Sequence, residues 1–514
     1  YDTTSPENVF LLVEVTGESN LNDVLKIPGV SGVMISSNFA VIITPANKIN
    51  EISNIVLRIV NIEVSTILTL NTISPLEASG APVFNNNPYL RLNGRGVLVG
   101  IIDTGIDYLN KEFQREDDTT RIVRIWDQTI QGDKDIYDLK YGTEYTEDQI
   151  NQAISLQTSG GDPYSIVPSK DDIGHGTRLA GIIGGRGINP DLKGAAPDCQ
   201  FVIVKLSRAT KVELDAAVID KTDVPSYTPW SALLALRYII AVARELKRPV
   251  VVFEPLGSNM GSHTGNGIVE QSINNYSAQS GTVVVVPTGN QGNTDTHTEG
   301  IIESSGYIKD IEIRVGEKQK NLPIEIWVNK PNRVKLSIVS PSGEVIDNLE
   351  AKNTNNERIK FLYEGTEMIV NFTSPELSTG DSLIFIRAYN LKAGIWKFRL
   401  TGQSIVDGKY YAWIPQRELL DSETKFLNSV GYTTLTLSST SSGAISVAYY
   451  NQDDNSVISE SGRGYTRYGM IKPDIAAGGF NAIVTNPGGG TAVISGSSVA
   501  GAVVAGCCAL ILQW

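Results

Sequence analysis

The sequence predicts an α/β protein in which a parallel β-sheet carries helices on both faces. A small α+β unit precedes this sheet, and an all-β domain is inserted into it. Three observations support this fold class. Short continuous apolar runs alternate with helical patterns in the middle of the chain, which is typical of parallel strands buried on both faces. A period-two pattern fills residues 300–414, and the first 75 residues alternate strand and helix patterns of their own.

The amino-terminal region predicts a compact unit of the βαββαβ kind. It contains no histidine and no cluster of chemically suggestive side chains. The expected elements, in order, are a strand (Val9–Val15), a short helix or turn (Leu21–Ile27), two strands (Gly32–Ile35 and Phe39–Ile43), a helix (Ile49–Val60) and a last strand (Ile62–Leu70).

The middle of the chain predicts the parallel sheet. Its apolar runs are Gly96–Ile102, Phe201–Leu206, Pro249–Phe253 and Gly281–Val286. The clearest helix between them covers Ser231–Leu246, with Thr228 as a candidate N-cap. In such sheets, ligands bind beyond the carboxyl ends of the strands, so polar residues that follow these runs are the first candidates for a site.

The third region predicts several short antiparallel strands, as in a β-sandwich or jelly roll. Turn residues such as Ser342-Gly343 separate some of them. The expected strands are Asp310–Val315, Pro323–Val328, Lys335–Val339, Met368–Phe372, Leu383–Tyr389 and Gly394–Leu400. The α/β pattern then resumes and ends in a glycine-rich stretch followed by an apolar helix.

Length, charge and cysteine content limit the function classes. A chain of 514 residues is too long for one hydrophobic core, since cores stop growing near about 250–300 residues. The net charge of −13 argues against nucleic acid as the main partner, because phosphate binding needs a basic face. The three cysteines (Cys199, Cys507 and Cys508) fit neither a disulfide framework nor a zinc site.

Targeting signals are weak in this sequence. The chain opens at Tyr1 without a basic segment followed by an apolar one, so we expect a signal peptide to be absent or already removed. The longest apolar run, Val499 to Leu512, has 14 residues, whereas a spanning helix needs about 17–25. We therefore expect no membrane span.

Two candidate catalytic residues lie at the edges of α/β elements. Asp103 directly follows an apolar strand and is expected to point into the ligand crevice, although it could also simply begin a turn before Gly105. His175 lies between Gly174 and Gly176 before a helical pattern. The polar residues before it exclude a dinucleotide-binding loop, which needs a preceding strand; a catalytic base and a capping or core histidine remain open.

Two further candidates complete the set. Ser498 opens the apolar helix after the glycine run, where its backbone N–H is free to serve an anion, but an ordinary N-cap serine has the same pattern. Asn290 follows the run that ends at Val286, and its amide could donate to a developing oxyanion or merely occupy a turn. Together the four residues are far more specific than any one of them.

The chain order Asp, His, Ser is that of subtilisin, and the sequence resembles the subtilisin-like serine proteases. The motifs that carry the resemblance are Asp103-Thr104-Gly105, His175-Gly176-Thr177, Gly289-Asn290-Gln291-Gly292 and Gly496-Ser497-Ser498-Val499-Ala500. The segment Lys472–Ala477 also resembles the one that precedes the nucleophile in this family. The resemblance covers about residues 93–299 and 428–514.

The resemblance implies a catalytic triad of Asp103, His175 and Ser498, an oxyanion donor at Asn290, and chemistry that needs no cofactor. Calcium is common in the wider family, but the sequence contains no D-x-[DN]-x-[DN]-G loop, so we expect no metal. The expected substrate-binding residues are Leu256, Gly257 and Ser258, which would pair with the substrate backbone, and Thr288 and Gly289, which would wall the pocket before the scissile bond. Arg178 and the Glu254-Pro255 pair depart from the usual family pattern. The change at Glu254 concerns substrate specificity more than the chemistry.

The amino-terminal unit and the β insertion are most similar to those of the Csp germination proteases of spore-forming bacteria. This resemblance implies a prodomain (1–74), a catalytic domain in two parts (75–300 and 428–514) and an inserted jelly roll (301–427). It further implies self-cleavage near Thr66–Ser74, with the prodomain remaining as a bound partner, and a cortex-lytic hydrolase proform as substrate. The expected location is the spore cortex or coat region, or otherwise outside the cell.

A second hypothesis is a pseudoprotease that acts as a binding or signalling protein in germination, since some Csp proteins lack triad residues. The complete Asp, His and Ser set argues against it. The other histidines receive simpler interpretations: His263 is expected in a loop near the pocket, and His297, in a polar stretch, is expected to be solvated.

Overall fold

The computed structural model describes residues 8–15, 22–34, 39–48, 59–64, 74–132, 134, 136–350 and 356–514. The chain divides into two compact units, Tyr1–Thr72 and Ile73–Trp514.

The first unit is an antiparallel sheet. Its strands are β1 (Asn8–Val15), β2 (Ser31–Met34), β3 (Phe39–Pro45) and β4 (Ile59–Val64), and their order in the sheet is β2-β3-β1-β4. Leu11 and Val13 on the central strand are buried against Ala40 and Ile42. The predicted helix over residues 49–60 lies outside the described residues as far as residue 58, and residues 59 and 60 belong to β4.

The first part of the second unit contains the elements that build the parallel sheet. They are α1 (Pro75–Ser79), α2 (Ala81–Asn85), β5 (Leu98–Asp103), β6 (Ile122–Asp127), β7 (Thr143–Thr146), α3 (Glu147–Thr158), α4 (His175–Gly184), β8 (Gln200–Lys205), α5 (Lys211–Ala216), α6 (Pro229–Leu246), β9 (Val250–Phe253), α7 (Ile268–Ser277) and β10 (Thr282–Pro287).

The insertion consists of two antiparallel sheets that share one hydrophobic core. Its strands are β11 (His297–Ile301), β12 (Ile308–Val315), β13 (Leu322–Val328), β14 (Arg333–Val339), β15 (Val345–Leu349), β16 (Asn356–Phe361), β17 (Thr366–Thr373), β18 (Ser382–Tyr389), β19 (Gly394–Ser404), β20 (Lys409–Trp413) and β21 (Lys425–Phe426). The sheet orders are β11-β20-β13-β18-β17-β16 and β15-β14-β19-β12-β21. The predicted all-β insertion is thus confirmed.

The chain then returns to the parallel sheet. The last elements are β22 (Ile445–Asn451), β23 (Ser456–Val457), β24 (Ile475–Gly478), β25 (Ala482–Thr485), β26 (Thr491–Ile494) and α8 (Ser497–Gln513). The sheet order is β23-β22-β10-β9-β5-β8-β6-β7, with β24 paired to β22; β7 and β23 run antiparallel to their neighbours.

Helices cover both faces of this sheet, as predicted. Side chains alternate along β5, so that Val99 and Ile101 pack in a core shared with α4 and α8, whereas Leu98 and Ile102 face α6 and α7. The strand β6 was not predicted, because Arg124 interrupts its apolar run. The carboxyl ends of β5, β9 and β10 meet at one edge, which positions the residues that follow them.

Within the described ranges, every helix is either too short or too polar to cross a lipid bilayer.

Candidate active site

The carboxylate of Asp103 and the imidazole of His175 are in hydrogen-bond contact at the candidate site. Asp103 is the last residue of β5, and His175 is the first residue of α4. The Nδ1 atom of His175 lies 2.8 Å from Oδ2 and 2.9 Å from Oδ1 of Asp103, which is 1% exposed. The Thr104 N–H donates to Oδ1 of the same carboxylate at 2.6 Å. These bonds fix the carboxylate and leave Nε2 of the imidazole as the ring nitrogen available for chemistry.

Two glycines allow α4 to begin so close to β5. Gly174, the N-cap residue, has φ of 85°, a conformation that side chains with a Cβ rarely adopt. A Cβ at Gly176 would lie 2.2 Å from the carbonyl oxygen of Gly105, so only glycine fits there. The glycines on both sides of His175 therefore bring its imidazole against the end of β5.

Asp171 supports this arrangement and was not identified from the sequence. Its Oδ1 accepts hydrogen bonds from the Thr104 hydroxyl and the Gly174 N–H, both at 2.7 Å. Its Oδ2 accepts from the Thr177 N–H at 2.8 Å and from the Thr177 hydroxyl at 2.6 Å. One buried carboxylate thus joins the residue after Asp103 to both sides of His175.

The electrostatics favour a proton on His175. Burial lowers the pKa of the imidazole, but the negative charge of Asp103 and its hydrogen bond outweigh this effect, so that the pKa of His175 is raised above its usual value. The side chain is still 37% exposed, so a substrate can reach it.

Ser498 lies in the first turn of α8, where helical N–H groups have no intrahelical partner. The N–H groups of Val499 and Ala500 bond to the Gly496 carbonyl. Within the described part of the chain, the Ser498 N–H has no acceptor. The positive end of the helix dipole at this point favours an anion.

Asn290 follows β10 and contacts the same helix terminus. Its Oδ1 accepts a hydrogen bond from the Ser497 N–H at 3.0 Å. With the oxygen occupied in this way, the Nδ2 amide remains free to donate. Asn290, His175 and Ser498 line one cavity of about 710 Å³.

The structure places four of the five expected substrate-binding residues in the lining of this cavity: Leu256, Gly257, Ser258 and Gly289. Thr288 is fully buried and does not line it. The side chains of the β10 segment alternate in direction, and that of Thr288 points into the protein interior.

The insertion contributes to the cavity wall, which the sequence did not indicate. Gln416, just after β20, donates from Nε2 to the Gly257 carbonyl oxygen at 2.7 Å. Glu418 accepts from the Gln291 side chain at 3.1 Å, directly beside Asn290. The segment that leaves the insertion therefore contacts both the expected substrate-pairing strand and the residue after the oxyanion candidate.

The departure at Arg178 has a structural reason. Its Nε and Nη2 atoms donate to Oδ1 of Asn486, at 3.0 and 2.8 Å, and so connect α4 to the β25–β26 hairpin.

The segment before Ser498 is held by Asp474, which accepts hydrogen bonds from Ser446 and Lys472.

His263 and His297 lie in a buried seam between the insertion and the parallel-sheet domain. Both residues are 1% exposed and stack on the indole of Trp413, with ring centroids at 4.1 and 4.4 Å from it. The prediction that His297 is solvated is therefore wrong. His263 does lie in a loop, but its ring nitrogens contact the carbonyls of Asn259 and Leu435.

Comparison with known proteins supports the fold and the family. The solved structure of the Clostridium perfringens CspB protease has a TM-score of 0.74 and 29% sequence identity to this chain, covering 85% of this chain and 86% of that one. The PI-type proteinase of Lactococcus lactis subsp. cremoris is 26% identical over 245 residues, and the PII-type proteinase of Lacticaseibacillus paracasei is 25% identical over 246. Each of these two matches covers 45% of this chain but only 11% of the relative's length.

The subtilase family, Peptidase S8, matches residues 94–311 and 425–514, which are more than half of the 514 residues. Both ranges contain residues of the cavity described above, and the unmatched range between them falls within the β insertion. The chain therefore belongs to the subtilase family of serine proteases.

Proposed function

We propose that this protein is a serine endopeptidase that cleaves protein substrates by acyl transfer. One observation carries the proposal: the imidazole of His175 is held by a buried carboxylate at 2.8 Å and opens onto the same cavity as Ser498. A hydroxyl, a base and a residue that orients the base are the parts that nucleophilic catalysis requires.

In the proposed reaction, the Oγ of Ser498 attacks the carbonyl carbon of the scissile peptide. Nε2 of His175 takes the hydroxyl proton and later gives it to the leaving amine. Asp103 holds the tautomer with the proton on Nδ1 and stabilises the imidazolium that forms. Water then attacks the acyl enzyme by the same proton route in reverse, and Ser498 is regenerated.

The negative oxygen of the tetrahedral intermediate would be stabilised by two donors, the Ser498 N–H and the Nδ2 amide of Asn290. Both donors are fixed before substrate arrives, the first by the helix terminus and the second by the bond from Ser497 to Asn290 Oδ1. Removing one such donor typically lowers kcat by about 10²–10³-fold.

The finer assignment is to the Csp proteases that act in spore germination. In this assignment the protein cuts itself near Thr66–Ser74, keeps the released prodomain as a partner, and activates the proform of a cortex-lytic hydrolase at the spore cortex or coat. The support is the resemblance in domain order together with the similarity to the Clostridium perfringens CspB protease over 85% of the chain.

The test is labelling of the purified full chain with a fluorophosphonate, followed by mass spectrometry of the intact protein. We expect modification of Ser498 in the wild type and none in Ser498→Ala. Ser497→Ala is the matched control, because it removes the neighbouring hydroxyl and should still be labelled. An unlabelled but folded wild type would support the pseudoprotease alternative.

Self-cleavage is tested separately by the fragments that appear after expression. We expect the wild type to yield two chains that separate within residues 66–74, and Ser498→Ala to remain one chain. Processing of Ser498→Ala at the same position would contradict self-cleavage, while the labelling result would stand.

A further inference from the structure

The cavity at the candidate active site has an unbalanced charge. Its lining includes the carboxylates of Glu213, Glu254, Glu325 and Glu418. Among the described residues that line it, there is no lysine or arginine. A cleft of one charge sign attracts substrates of the opposite sign.

Three of these carboxylates already have protein partners. Glu213 accepts hydrogen bonds from the Thr210 N–H, the Thr210 hydroxyl and the Trp230 indole. Glu325 accepts from the Gly261 N–H and the Trp327 indole, and Glu418 accepts from Gln291. These side chains support the walls of the cavity, and their presence is explained by the contacts they make.

Glu254 differs from them. It follows β9, is 4% exposed, and receives one hydrogen bond, from the Ser438 hydroxyl to Oε1 at 3.3 Å. In the described part of the chain, no donor contacts its Oε2. Burial raises the pKa of Glu254 to about 7, as expected for a carboxylate that lacks a counter-charge.

Thr436, another residue of the lining, has a hydroxyl oxygen that is buried without a hydrogen-bond partner among the described residues. Buried polar groups nearly always have a partner, and a buried charge without one is costly. The Glu254 carboxylate, with one oxygen that has no donor among the described residues, is therefore the group in this lining that a cationic ligand group would stabilise most.

We propose that Glu254 binds the lysine or arginine side chain of a substrate residue on the amino-terminal side of the scissile bond, and so determines specificity. The position follows from the chain: Glu254 lies two residues before Leu256, the first residue of the segment expected to pair with that side of the substrate. Leu256 and Val269 offer apolar wall for the methylene stem of such a side chain. This inference rests on the proposed endopeptidase function.

The test uses internally quenched peptides in which each of four consecutive positions carries lysine, arginine, norleucine or glutamine, with the cut located by mass spectrometry. We expect the wild type to favour lysine or arginine over norleucine at one position by about 10- to 100-fold in kcat/KM, the range of a charge-assisted hydrogen bond. Glu254→Gln keeps the size and the Ser438 contact, and should bring this ratio close to one, mainly through KM on the basic peptides.

Asp172→Asn is the control, because it removes one carboxylate charge near the site from a side chain that is exposed, pairs with Lys205 and does not line the cavity. Its preference ratio should equal that of the wild type. An absent preference in the wild type, or an unchanged ratio in Glu254→Gln, would overturn the inference, while fluorophosphonate labelling of Ser498 would still support the peptidase.

Binding to Ser498→Ala separates the two proposals further. By fluorescence anisotropy, lysine peptides should bind at least about 10-fold more tightly than norleucine peptides, and Glu254→Gln in the same background should abolish the difference. If the wild type neither cleaves nor reacts with the fluorophosphonate, this binding difference still decides whether Glu254 takes a basic side chain. Equal binding of both peptides would refute it.

Discussion

The imidazole of His175 is partly exposed and that of His263 is buried, and although desolvation acts to lower both pKa values, the two pKa values shift in opposite directions. At His175 the neighbouring Asp103 carboxylate raises the pKa against the effect of burial. At His263 burial lowers the pKa to about 3, although the carbonyls of Asn259 and Leu435 favour the protonated ring. The charge of Arg467 acts in the same direction as burial.

The two imidazoles differ in the charge of the group that contacts them, and that charge decides whether desolvation is outweighed. A full negative charge at 2.8 Å reverses the effect of burial, whereas two neutral carbonyl oxygens at 2.8 and 2.9 Å do not. The protein thus uses one residue type for two purposes. His175 is the proposed proton-exchanging residue at the cavity, and His263 is a packing element in the seam with the insertion.

The largest expected effect comes from removing the negative charge beside His175, because that imidazole then lacks a counter-charge, as His263 does. Asp103→Asn removes the charge but keeps the shape, and we expect kcat to fall by about 10⁴-fold, because the imidazole loses its tautomer and the stabilisation of its cation. The pKa of His175, followed by NMR of the ring, should fall below its usual value. Both are measured on the folded variant, with the melting temperature as the check on folding.

Asp172→Asn is the control for this change. Asp172 is exposed and pairs with Lys205 at 3.2 Å, so the same substitution next to Asp171 should leave kcat unchanged. A normal or raised pKa of His175 in Asp103→Asn would show that the counter-charge is not the cause of the shift.

The next largest effect concerns the stability of the seam. Trp413 is 1% exposed and stacks on both His263 and His297, so Trp413→Ala should lower the free energy of unfolding by about 3–5 kcal/mol. The measurement is equilibrium denaturation. Trp514→Ala, at a side chain that is 86% exposed, is the control and should change the value little. A loss as small as in the control would mean that the insertion and the parallel-sheet domain do not depend on this stack.

The contributions of His175 and His263 to the free energy of unfolding should change with pH in opposite directions. Because the pKa of His175 is raised, activity should fall on acidification with a midpoint above pH 6.5, and the stability that this residue contributes is lost as the pH rises through its folded pKa. Because the pKa of His263 is lowered to about 3, the unfolded chain takes up a proton first, and stability falls as the pH drops from 6.5 toward 3.

Denaturation of wild type and His263→Gln between pH 4.5 and 8 isolates the second effect. The free energy of unfolding of the variant should depend less on pH below 6.5 than that of the wild type. The same slope for both proteins would contradict the lowered pKa of His263, whereas the pH profile of kcat/KM tests His175 independently.

The sequence was informative wherever a residue's role follows from its immediate neighbours. Asp103 ends a continuous apolar strand, the glycines beside His175 permit its close approach, and Ser498 follows a glycine run and opens a helix. The period-two pattern likewise indicated the β insertion. These signals are local, because each residue lies at the end of a regular element. Asp103 is the last residue of β5, His175 is the first residue of α4, and Ser498 lies in the first turn of α8.

The sequence was uninformative where contacts join distant segments. Asp171 contacts Thr104 across 67 positions, and Gln416 contacts Gly257 across 159, with no motif to indicate either. The polar neighbours of His297 predict a solvated side chain, but Thr296 and Thr298 are themselves buried where β11 pairs with β20. Burial by an inserted domain is a tertiary effect that composition around one residue does not reveal.

The smallest expected effect concerns the contact between the insertion and the substrate-pairing segment. The Gly257 carbonyl accepts a hydrogen bond from Gln416 at 2.7 Å, and a substrate that pairs with Leu256–Ser258 would compete for the same oxygen. Gln416→Ala frees this acceptor, so we expect KM to fall by about 2- to 10-fold with kcat unchanged, the range of one neutral hydrogen bond. Gln403→Ala, at an exposed position of the insertion, is the control. An unchanged KM would show that the substrate backbone does not use Gly257, and a raised KM would show that Gln416 itself contacts the substrate, as a wall residue and not as a competitor.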